Sequence, residues 1–333
     1  MPAEDTIGPG FLSVAMPALN EERYIVQALD SLTQMNGHQD YEILVLDGGS
    51  QDRTRDLVRA YGQTNPRVKL LDNPKRLQSA AVNLAARLAD PRARVIVRAD
   101  CHAAYPPGFA VTAARTLSST GSASVVVPMI TLGTKGFQKA VAAAQNSLLG
   151  NGGSAHRRMG ASRQVDHGHH AAFDRDFFLS VGGYDETFTH NEDAELDLRL
   201  NQAGGKVWLE TSIPVTYFPR SDVAGLARQY FNHGAGRART FWKHRPPLKP
   251  RQMAPLFIML GNVGCLFLGL LAPLFLLPPL AYLLLCLGWG GIAAWRTKDP
   301  DLAGMGIAAI AMHHGWALGF LRKSIAEYRR KTA

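Results

Sequence analysis

Three carboxylates stand close together in the segment Asn191–Leu196, shortly after the glycine turn Gly182–Asp185. They are Glu192, Asp193 and Glu195, and the leucines around them are spaced as in an amphipathic helix. A helix N-terminus stabilises the negative form of a carboxylate, so a carboxylate positioned there can accept a proton. The alternative is that Glu192 and Asp193 only cap the helix, an ordinary role for acidic residues at such positions.

A further aspartate, Asp47, ends the apolar run Tyr41–Leu46 and precedes two glycines. Glycines let the backbone approach a ligand closely, and the carboxylate can accept hydrogen bonds from a nucleobase or a ribose hydroxyl. The alternative is a simple capped turn with Ser50 or Asp52 as the cap. No Gly-Lys-Ser/Thr follows, which argues against a phosphate-binding loop of the nucleoside-triphosphate hydrolases.

An acid and an imidazole, Asp100 and His102, follow the apolar run Arg94–Val97. Two residues apart, both side chains can face one ion, and an oxygen with an imidazole suits Mn²⁺ or Mg²⁺ whose shell is completed by a diphosphate. A surface turn is the alternative. The histidine-rich segment Asp166–His170 lacks a partner carboxylate at helical spacing, and we assign it to a loop rather than to a metal site.

Strand and helix patterns alternate around these residues. The predicted strands cover residues 11–16, 41–46, 68–71 and 94–97, and the predicted helices cover residues 20–34, 52–61 and 79–88. Such a series predicts an α/β fold with a mostly parallel sheet and helices on both faces, and ligands collect at the carboxyl ends of the strands. Asp47 and Asp100 are therefore expected at one edge of the sheet.

The apolar residues and the positive charge of the chain point to a membrane. The chain has 333 residues, 46% of them hydrophobic, and a net charge of +9. Residues 254–295 carry no charge and have Lys and Arg on both sides. Because about 40 apolar residues exceed one span of roughly 20, we predict a transmembrane hairpin that turns at Leu277–Pro279, with both ends cytoplasmic. A third apolar helix is predicted over residues 302–321, as a span or as an interfacial helix.

Other features set the compartment and the domains. Three cysteines without paired spacing argue against a disulfide framework or a zinc site, and no secretory signal precedes the first strand. The chain lacks the aromatic and basic interleaving of a nucleic-acid platform. We expect a cytoplasmic catalytic domain over residues 1–245 and a C-terminal membrane region over residues 246–333, at the inner membrane of a bacterial-type cell.

Four motifs occur in the order seen in family 2 glycosyltransferases, the inverting GT-A type, and the resemblance covers about residues 11–216. The motifs are Pro17–Glu21, Asp47–Ser50, the segment around Asp100, and Gly182–Asp185 followed by Glu192–Asp193. The resemblance implies a GT-A fold, a nucleotide-sugar donor and a divalent cation. It also implies the nucleotide-binding residues Pro17, Asn20, Glu21 and Asp47, the metal ligand Asp100 and, in the catalytic pair Glu192–Asp193, the base Asp193.

The sequence departs from the family pattern at two positions. Arg98 stands where the first acid of Asp-x-Asp usually does, and Gly48 replaces an acid of the second turn. The first departure leaves the metal to Asp100 and His102. This variant resembles the succinoglycan-assembly glucosyltransferases, which add a β-1,3-linked glucose to a lipid-diphosphate-linked sugar.

That closer likeness extends through the segment Gly234–Thr240. Arg237 and Arg239 are predicted to bind the nucleotide, because guanidinium groups can fork onto phosphates. The alternative for both is a basic face toward anionic lipid.

The implied reaction is an in-line displacement with inversion, in which Asp193 deprotonates the acceptor alcohol and Mg²⁺ or Mn²⁺ stabilises the departing diphosphate. The predicted substrates are UDP-glucose and a lipid-linked sugar in exopolysaccharide assembly, with other assembly enzymes as partners. A polyprenol-phosphate sugar synthase is one alternative, and a catalytically silent glycan-binding or scaffold membrane protein is another. A processive synthase is disfavoured because no Gln-x-x-Arg-Trp lies between the Glu-Asp motif and the apolar tail.

Overall fold

A computed structural model describes residues 10–151, 160–247 and 250–332. The chain forms two compact units, Met1–Ile130 with Arg158–Tyr217 and Thr131–Arg157 with Phe218–Ala333. The strands are β1 Phe11–Ala18, β2 Tyr41–Asp47, β3 Val68–Asp72, β4 Ala93–Arg98, β5 Ser124–Val127, β6 Met129–Thr131, β7 Arg163–Val165, β8 His169–Asp174, β9 Val207–Leu209 and β10 Val215–Tyr217. The helices are α1 Ile25–Leu32, α2 Thr54–Thr64, α3 Gln78–Leu88, α4 Phe109–Thr120, α5 Phe137–Asn146, α6 Leu148–Asn151, α7 Arg175–Ser180, α8 Glu192–Gln202, α9 Val223–His244, α10 Pro250–Gly269, α11 Leu277–Thr297 and α12 Met305–Thr332.

The first unit is built on an eight-stranded sheet in the order β3-β2-β1-β4-β8-β5-β9-β7. Strands β1 to β4 run parallel to one another, whereas β8 runs antiparallel to both of its neighbours, β4 and β5. The carboxyl ends of β1, β2 and β4 therefore share one edge, and β8 begins at that same edge. A second, two-stranded sheet joins β10 and β6. The prediction of a mostly parallel sheet is confirmed.

Helices cover both faces of this sheet because the buried strands alternate their side chains between two cores. Leu12 and Val14 of β1 pack with α1, α2 and α4 on one face. Ala15, the residue after Val14, packs with α3, α7 and α8 on the other. Period-two alternation on a strand with apolar residues on both faces is what a doubly covered sheet requires.

Helix α1 starts at Ile25, later than the predicted start at residue 20. The reason lies in the preceding turn, where the backbone N–H of Asn20 donates to Ser50 Oγ at 2.9 Å and that of Glu21 donates to Thr54 Oγ1 at 2.7 Å. Asn20 also has a φ of 56°, outside the helical region. These residues are held by the turn after β2 instead of continuing a helix.

The second unit consists of helices, and two of them approach at glycines. A Cβ on Gly319 of α12 would lie 1.9 Å from the carbonyl oxygen of Phe231, and one on Gly234 of α9 would lie 1.9 Å from that of Trp316. Only glycine permits such close backbone packing. Because α9 belongs to this unit by its packing, the compact units divide near residue 217, while the predicted functional division at residue 245 stays a prediction.

Within the described residues, α10 and the α11 region are the two helices long and apolar enough to cross a membrane. The chain turns between them at residues 270–276, not at Leu277–Pro279, so the predicted turn is displaced. Pro278 and Pro279 instead lie in the first turn of α11, where a missing N–H costs no helical hydrogen bond. The third predicted helix forms as α12, which buries Met312 and Ala317.

Candidate active site

The turns after β1 and β2 are tied together at the carboxyl edge of the sheet. Asn20 Oδ1 accepts the N–H of Gln51 at 2.8 Å, which complements the bond from Asn20 N–H to Ser50. Pro17 lies within β1, and its carbonyl oxygen accepts the thiol of Cys101 at 3.2 Å. Two of the predicted nucleotide-binding residues, Pro17 and Asn20, thus lie at this edge of the sheet.

Asp47 lies beneath the second turn, with its side chain fully buried. Its Oδ2 accepts the N–H groups of Gly49 at 2.9 Å and Ser50 at 3.1 Å, and the guanidinium of Arg55 at 2.7 Å. Burial alone would raise the pKa of Asp47, but the hydrogen bonds from Ser50, Arg55 and Gly49 outweigh burial and lower it. The carboxylate shapes the turn, and its contact with a nucleotide stays a prediction.

Arg76 is a cation at this edge that the sequence analysis missed. A Cβ on Gly49 would lie 3.2 Å from Arg76 Nη2, so the guanidinium rests against the turn that Asp47 holds. Arg76 has a φ of 57° in the short turn between β3 and α3. The available signal was its place after a third parallel strand, whose carboxyl end meets the same edge.

Asp100 and His102 follow β4 and differ in their surroundings. Asp100 is largely buried, and its Oδ1 accepts Gln78 Nε2 at 2.5 Å. His102 is more than half exposed, with Nδ1 3.6 Å from Glu21 Oε1, so the structure brings Glu21 to the predicted metal segment. Burial would raise the pKa of Asp100, but the positive charges of Arg98 and nearby histidines lower it.

The acidic motif begins α8 at Glu192, as predicted, and its carboxylates separate into different roles. Glu195 is buried and pairs with Arg199 at 2.7 Å. Arg199 also donates to the carbonyl oxygens of Val181 at 2.6 Å and Gly183 at 2.7 Å. Glu195 therefore holds the glycine turn and is structural.

Asp193 receives its partners on a single oxygen. Its Oδ1 lies 2.5 Å from Arg98 Nη1, 3.2 Å from the Tyr184 hydroxyl and 3.4 Å from His170 Nδ1. Arg98 is buried, with 5% of its side chain exposed, whereas Asp193 keeps 25% exposed. Burial would raise the pKa of Asp193, but the positive charges of Arg98 and His170 hold it well below the ordinary value.

The neighbouring carboxyl, Glu192, is shifted in the opposite direction. Burial, followed by the negative charge of Asp193, raises the pKa of Glu192 to about 7. Adjacent carboxyls whose pKa values are pushed apart are typical of acid–base sites. One carboxyl of the predicted catalytic pair is thus ionised at neutral pH, and the other is close to its titration midpoint.

The histidine segment Asp166–His170 is a loop over its first three residues and a strand from His169, so its assignment to a loop is confirmed only in part. His169 and His170 open β8, and the apolar residues after them pair with β4 and β5. His170 Nε2 lies 2.8 Å from Asp197 Oδ1, and His170 Nδ1 lies 2.6 Å from the Tyr184 hydroxyl. Asp197 stands one helical turn after Asp193, which is the spacing that could have identified it.

The two histidines also titrate differently. Burial would lower the pKa of His170, but the carboxylates of Asp197 and Asp193 raise it to about 9. The pKa of His169 is lowered to about 4 by burial and by the charge of Arg98. At neutral pH the buried cluster therefore holds one imidazolium and one neutral imidazole.

Arg237 and Arg239 lie within α9 of the second unit. Gly234 of that segment packs closely against the backbone of α12. A role of either arginine at the nucleotide stays a prediction.

Comparison with known sequences identifies the family. The sequence model described as glycosyl transferase family 2 matches residues 13–182. The succinoglycan biosynthesis protein ExoA of Rhizobium meliloti (strain 1021) is 40% identical over 324 residues, 96% of each chain. A dolichyl N-acetyl-alpha-D-glucosaminyl phosphate 3-beta-D-2,3-diacetamido-2,3-dideoxy-beta-D-glucuronosyltransferase of Methanococcus voltae is 27% identical over 239 residues, which cover 68% of this chain and 73% of its own.

Solved structures confirm the GT-A fold. The mannosyltransferase PcManGT from Pyrobaculum calidifontis, in complex with GDP-Man and Mn²⁺, superposes with a TM-score of 0.58 at 19% identity. That match covers 93% of this chain and 88% of the mannosyltransferase. Residues 1–349 of S. aureus TarS superpose with a TM-score of 0.50 at 14% identity, over 92% of each chain.

Proposed function

The chain belongs to glycosyltransferase family 2, and from this premise we propose that it moves glucose from UDP-glucose, with inversion, onto a lipid-diphosphate-linked sugar in exopolysaccharide assembly. The observation that carries the proposal is the 40% identity over 96% of both chains to a succinoglycan biosynthesis protein. The name of the Methanococcus voltae relative describes transfer to a lipid-phosphate-linked sugar, which supports an acceptor of this class. Since the chain is a glycosyltransferase, the silent-scaffold alternative falls away.

The proposed base is Asp193. Its Oδ1 is occupied by donors, while its Oδ2 accepts no hydrogen bond from the described residues, and a quarter of the side chain is exposed. Oδ2 would take the proton of the acceptor alcohol as that oxygen attacks the anomeric carbon and the nucleoside diphosphate departs. Glu192, whose pKa of about 7 suits a proton acceptor, is the proposed second member of the catalytic pair.

Asp100 and His102 are the proposed metal ligands. A largely buried carboxylate and an exposed imidazole form a donor set that suits Mn²⁺ or Mg²⁺. Among the described residues no group of three His, Cys, Asp or Glu side chains surrounds one point, so the remaining ligands would be diphosphate oxygens. A bound divalent cation would there neutralise charge on the leaving diphosphate.

Substitution of Asp100 and His102, together with removal of the metal, tests their assignment as metal ligands. Asp100→Ala and His102→Ala should each weaken metal-dependent nucleotide binding, and His102→Asp should restore part of it by supplying an oxygen ligand. Calorimetric titration of nucleotide with and without Mn²⁺ measures the effect. Full activity in excess EDTA would contradict a metal-dependent site.

Attachment to a membrane through α10 and α11 is also proposed. Both helices expose large apolar side chains along their length, such as Phe267 at 68% and Trp295 at 80%. Two successive helices with large apolar side chains exposed along their length are unusual in a protein surrounded by water and are typical of contact with lipid. Basic residues flank the apolar stretch, which supports cytoplasmic ends and a catalytic unit at the inner membrane.

The direct test is product analysis with the full-length protein in lipid nanodiscs. A panel of nucleotide sugars is offered with two acceptors, a lipid-diphosphate-linked sugar and a polyprenol monophosphate. We expect transfer of glucose from UDP-glucose to the lipid-linked sugar, with a β-linkage. Transfer to the polyprenol monophosphate alone would favour the synthase alternative, and a different preferred donor would correct the proposed sugar.

A second test addresses the membrane. Aspartate in place of Leu260 in α10 and Leu284 in α11 should displace the protein from vesicles, since each charge at mid-span costs about 2.5–3.5 kcal/mol. Activity on a long-chain lipid acceptor should then fall more than activity on a short soluble analogue. Leu88→Asp changes an equally exposed leucine of the first unit and is the matched control. Unchanged vesicle binding of the double variant would contradict attachment through these helices.

A further inference from the structure

A buried chain of hydrogen bonds runs behind Asp193 and involves residues outside the predicted site. It starts at Asp197, whose Oδ1 lies 2.8 Å from His170 Nε2 and whose Oδ2 accepts the N–H of Gly168 at 3.1 Å. It continues from His170 Nδ1 to the Tyr184 hydroxyl at 2.6 Å, and from that hydroxyl to Asp193 Oδ1 at 3.2 Å. The side chains of His170 and Asp197 have no exposure, so water cannot replace their partners.

The direction of each hydrogen bond follows from what each atom can donate. A carboxylate only accepts, so His170 Nε2 carries a proton toward Asp197. With its pKa at about 9, His170 is also protonated at Nδ1 at neutral pH, and Nδ1 donates to the Tyr184 oxygen. Arg98 Nη1 donates to the same oxygen at 3.0 Å. Both acceptor positions of the hydroxyl are then filled.

The hydroxyl hydrogen of Tyr184 has one acceptor left among these groups, Asp193 Oδ1. If His170 were neutral, its bare Nδ1 would compete for that hydrogen at the shorter distance of 2.6 Å. The charge of His170, which buried Asp197 and Asp193 both stabilise, thus decides where Tyr184 donates. Oδ1 is held by Arg98 and Tyr184 together, which leaves Oδ2 for the substrate.

We propose that Asp197, His170 and Tyr184 form a directional positioning chain that aims Asp193 at the acceptor hydroxyl. The inference rests on the proposed role of Asp193 as the base. It adds three positioning residues that do not touch substrate and act through the orientation of one carboxylate. Fixing a base in a productive geometry contributes to catalysis beyond its mere presence.

The backbone and the ring of Tyr184 are held by contacts that do not involve its hydroxyl, so the hydroxyl can be removed by itself. Asn83 binds the backbone of Tyr184 from both sides, accepting its N–H and donating to its carbonyl oxygen, each at 2.8 Å. The ring packs against Phe173 and Phe178 with centroid distances of 5.9 and 5.7 Å. Phenylalanine can make all of these contacts, so Tyr184→Phe removes the hydroxyl and leaves the ring in place.

Kinetics of the full-length Tyr184→Phe variant in nanodiscs test the proposal. We expect kcat to fall by about tenfold or more, the size of one hydrogen bond to a charged group, while the KM and the calorimetric affinity for donor change by less than about twofold. Tyr61→Phe is the matched control, because its hydroxyl donates to Asp30 at 2.9 Å on the surface, and its kcat should be unchanged. An unchanged kcat in Tyr184→Phe would overturn the proposal. So would a fall in donor affinity as large as the fall in kcat.

A second readout does not depend on transfer. Nitrogen-15 NMR of the imidazoles, with His170 assigned through His170→Gln, should show both ring nitrogens of His170 protonated at pH 7. Asp197→Asn should lower the pH at which His170 titrates. A neutral His170 at pH 7 would overturn the directional chain. Absence of glycosyl transfer to any acceptor would instead refute the proposed function, and the spectrum would still decide the hydrogen-bond direction.

Discussion

Asp47 and Asp193 are both aspartates at the same edge of the sheet with a lowered pKa, yet their partners come from different distances along the chain. Asp47 is held by the N–H groups of Gly49 and Ser50 and by Arg55, all within eight residues. Asp193 is held by Arg98, which is 95 residues away in the sequence. The first carboxylate organises its own turn, and the second is organised by the fold.

This difference separates two uses of a buried negative charge. A carboxylate whose two oxygens both receive local backbone donors holds the turn around it, as Asp47 does. A carboxylate clamped on one oxygen by distant cations keeps the other oxygen for chemistry, as Asp193 does. We therefore expect substitutions at the two positions to affect different measurements.

The largest expected effect is that of Asp193→Asn on turnover. Asparagine can present its oxygen to Arg98 and Tyr184, but its amide nitrogen replaces Oδ2 and cannot accept a proton. Transfer should fall by about 100-fold or more, the usual size of base catalysis, with donor affinity nearly unchanged. Turnover and calorimetry of the same preparation measure the divergence. Glu192→Gln is the comparison, and a greater loss there than in Asp193→Asn would move the base to Glu192.

Removal of the clamping cation should have the next largest effect, on stability. Arg98→Met removes a buried counter-charge from Asp100 and from Asp193, for which His170 remains as the other cation, and breaking a buried pair in this way costs about 3–5 kcal/mol of unfolding free energy. Arg55→Met is the matched control at Asp47, where the arginine is partly exposed, and it should cost less. Denaturant titration gives both values. Equal losses would show that the distant and the local clamp do not differ.

Asp47→Asn should lower stability and donor binding rather than turnover of bound donor. It weakens the hydrogen bonds from Gly49 and Ser50 and the charge-assisted bond from Arg55, an expected cost of about 1–3 kcal/mol. The calorimetric affinity for nucleotide should fall with it, since the turn carries the predicted nucleotide contacts. A variant with intact affinity and a reduced kcat would place Asp47 with the catalytic groups.

The smallest expected effect is a loss of stability at alkaline pH that originates at His170. The folded pKa of His170, about 9, exceeds the ordinary value of 6.5, so its stabilisation is complete below pH 6.5 and is lost as pH rises through 9. The titratable groups beside it are Asp197, Asp193, Tyr184 and His169. Arg98 and Glu192 lie one contact further away, around Asp193.

Between pH 7 and 9 the expected decline in stability reports on His170 and not on the carboxyls, because they titrate at lower pH. Glu192, with its pKa raised to about 7, loses its contribution mainly below that window, as pH rises from 4.5 through 7. Asp47 has a lowered pKa, so its contribution is present above pH 3.8 and is lost as pH falls through the folded value. Unfolding midpoints across pH 7–9 should decline in the wild type and much less in His170→Gln. A flat wild-type profile would contradict a charged His170.

Much of the fold could be predicted because its signals are local. The strands at residues 11–18, 41–47, 68–72 and 93–98 were recognised from short apolar runs, and the mostly parallel sheet followed from their alternation with helices. The exceptions had non-local causes. Helix α1 was shortened by hydrogen bonds to the turn after β2, and the strand β8 was missed because its histidines face a buried cluster that periodicity does not reveal.

The motif order, the apolar tail and the turn that Asp47 builds can be recognised in the chain, since backbone donors two and three residues away need no distant partner. The protonation state and the partners of Asp193 follow instead from the folded arrangement. Because β8 runs antiparallel to β4, His170 at the start of β8 lies at the same edge as Arg98 at the end of β4. Asp197 lies one turn after Asp193 in α8 and contacts His170 there. Charge interactions depend on distance in space and on burial, and for residues 95 positions apart the chain order specifies neither.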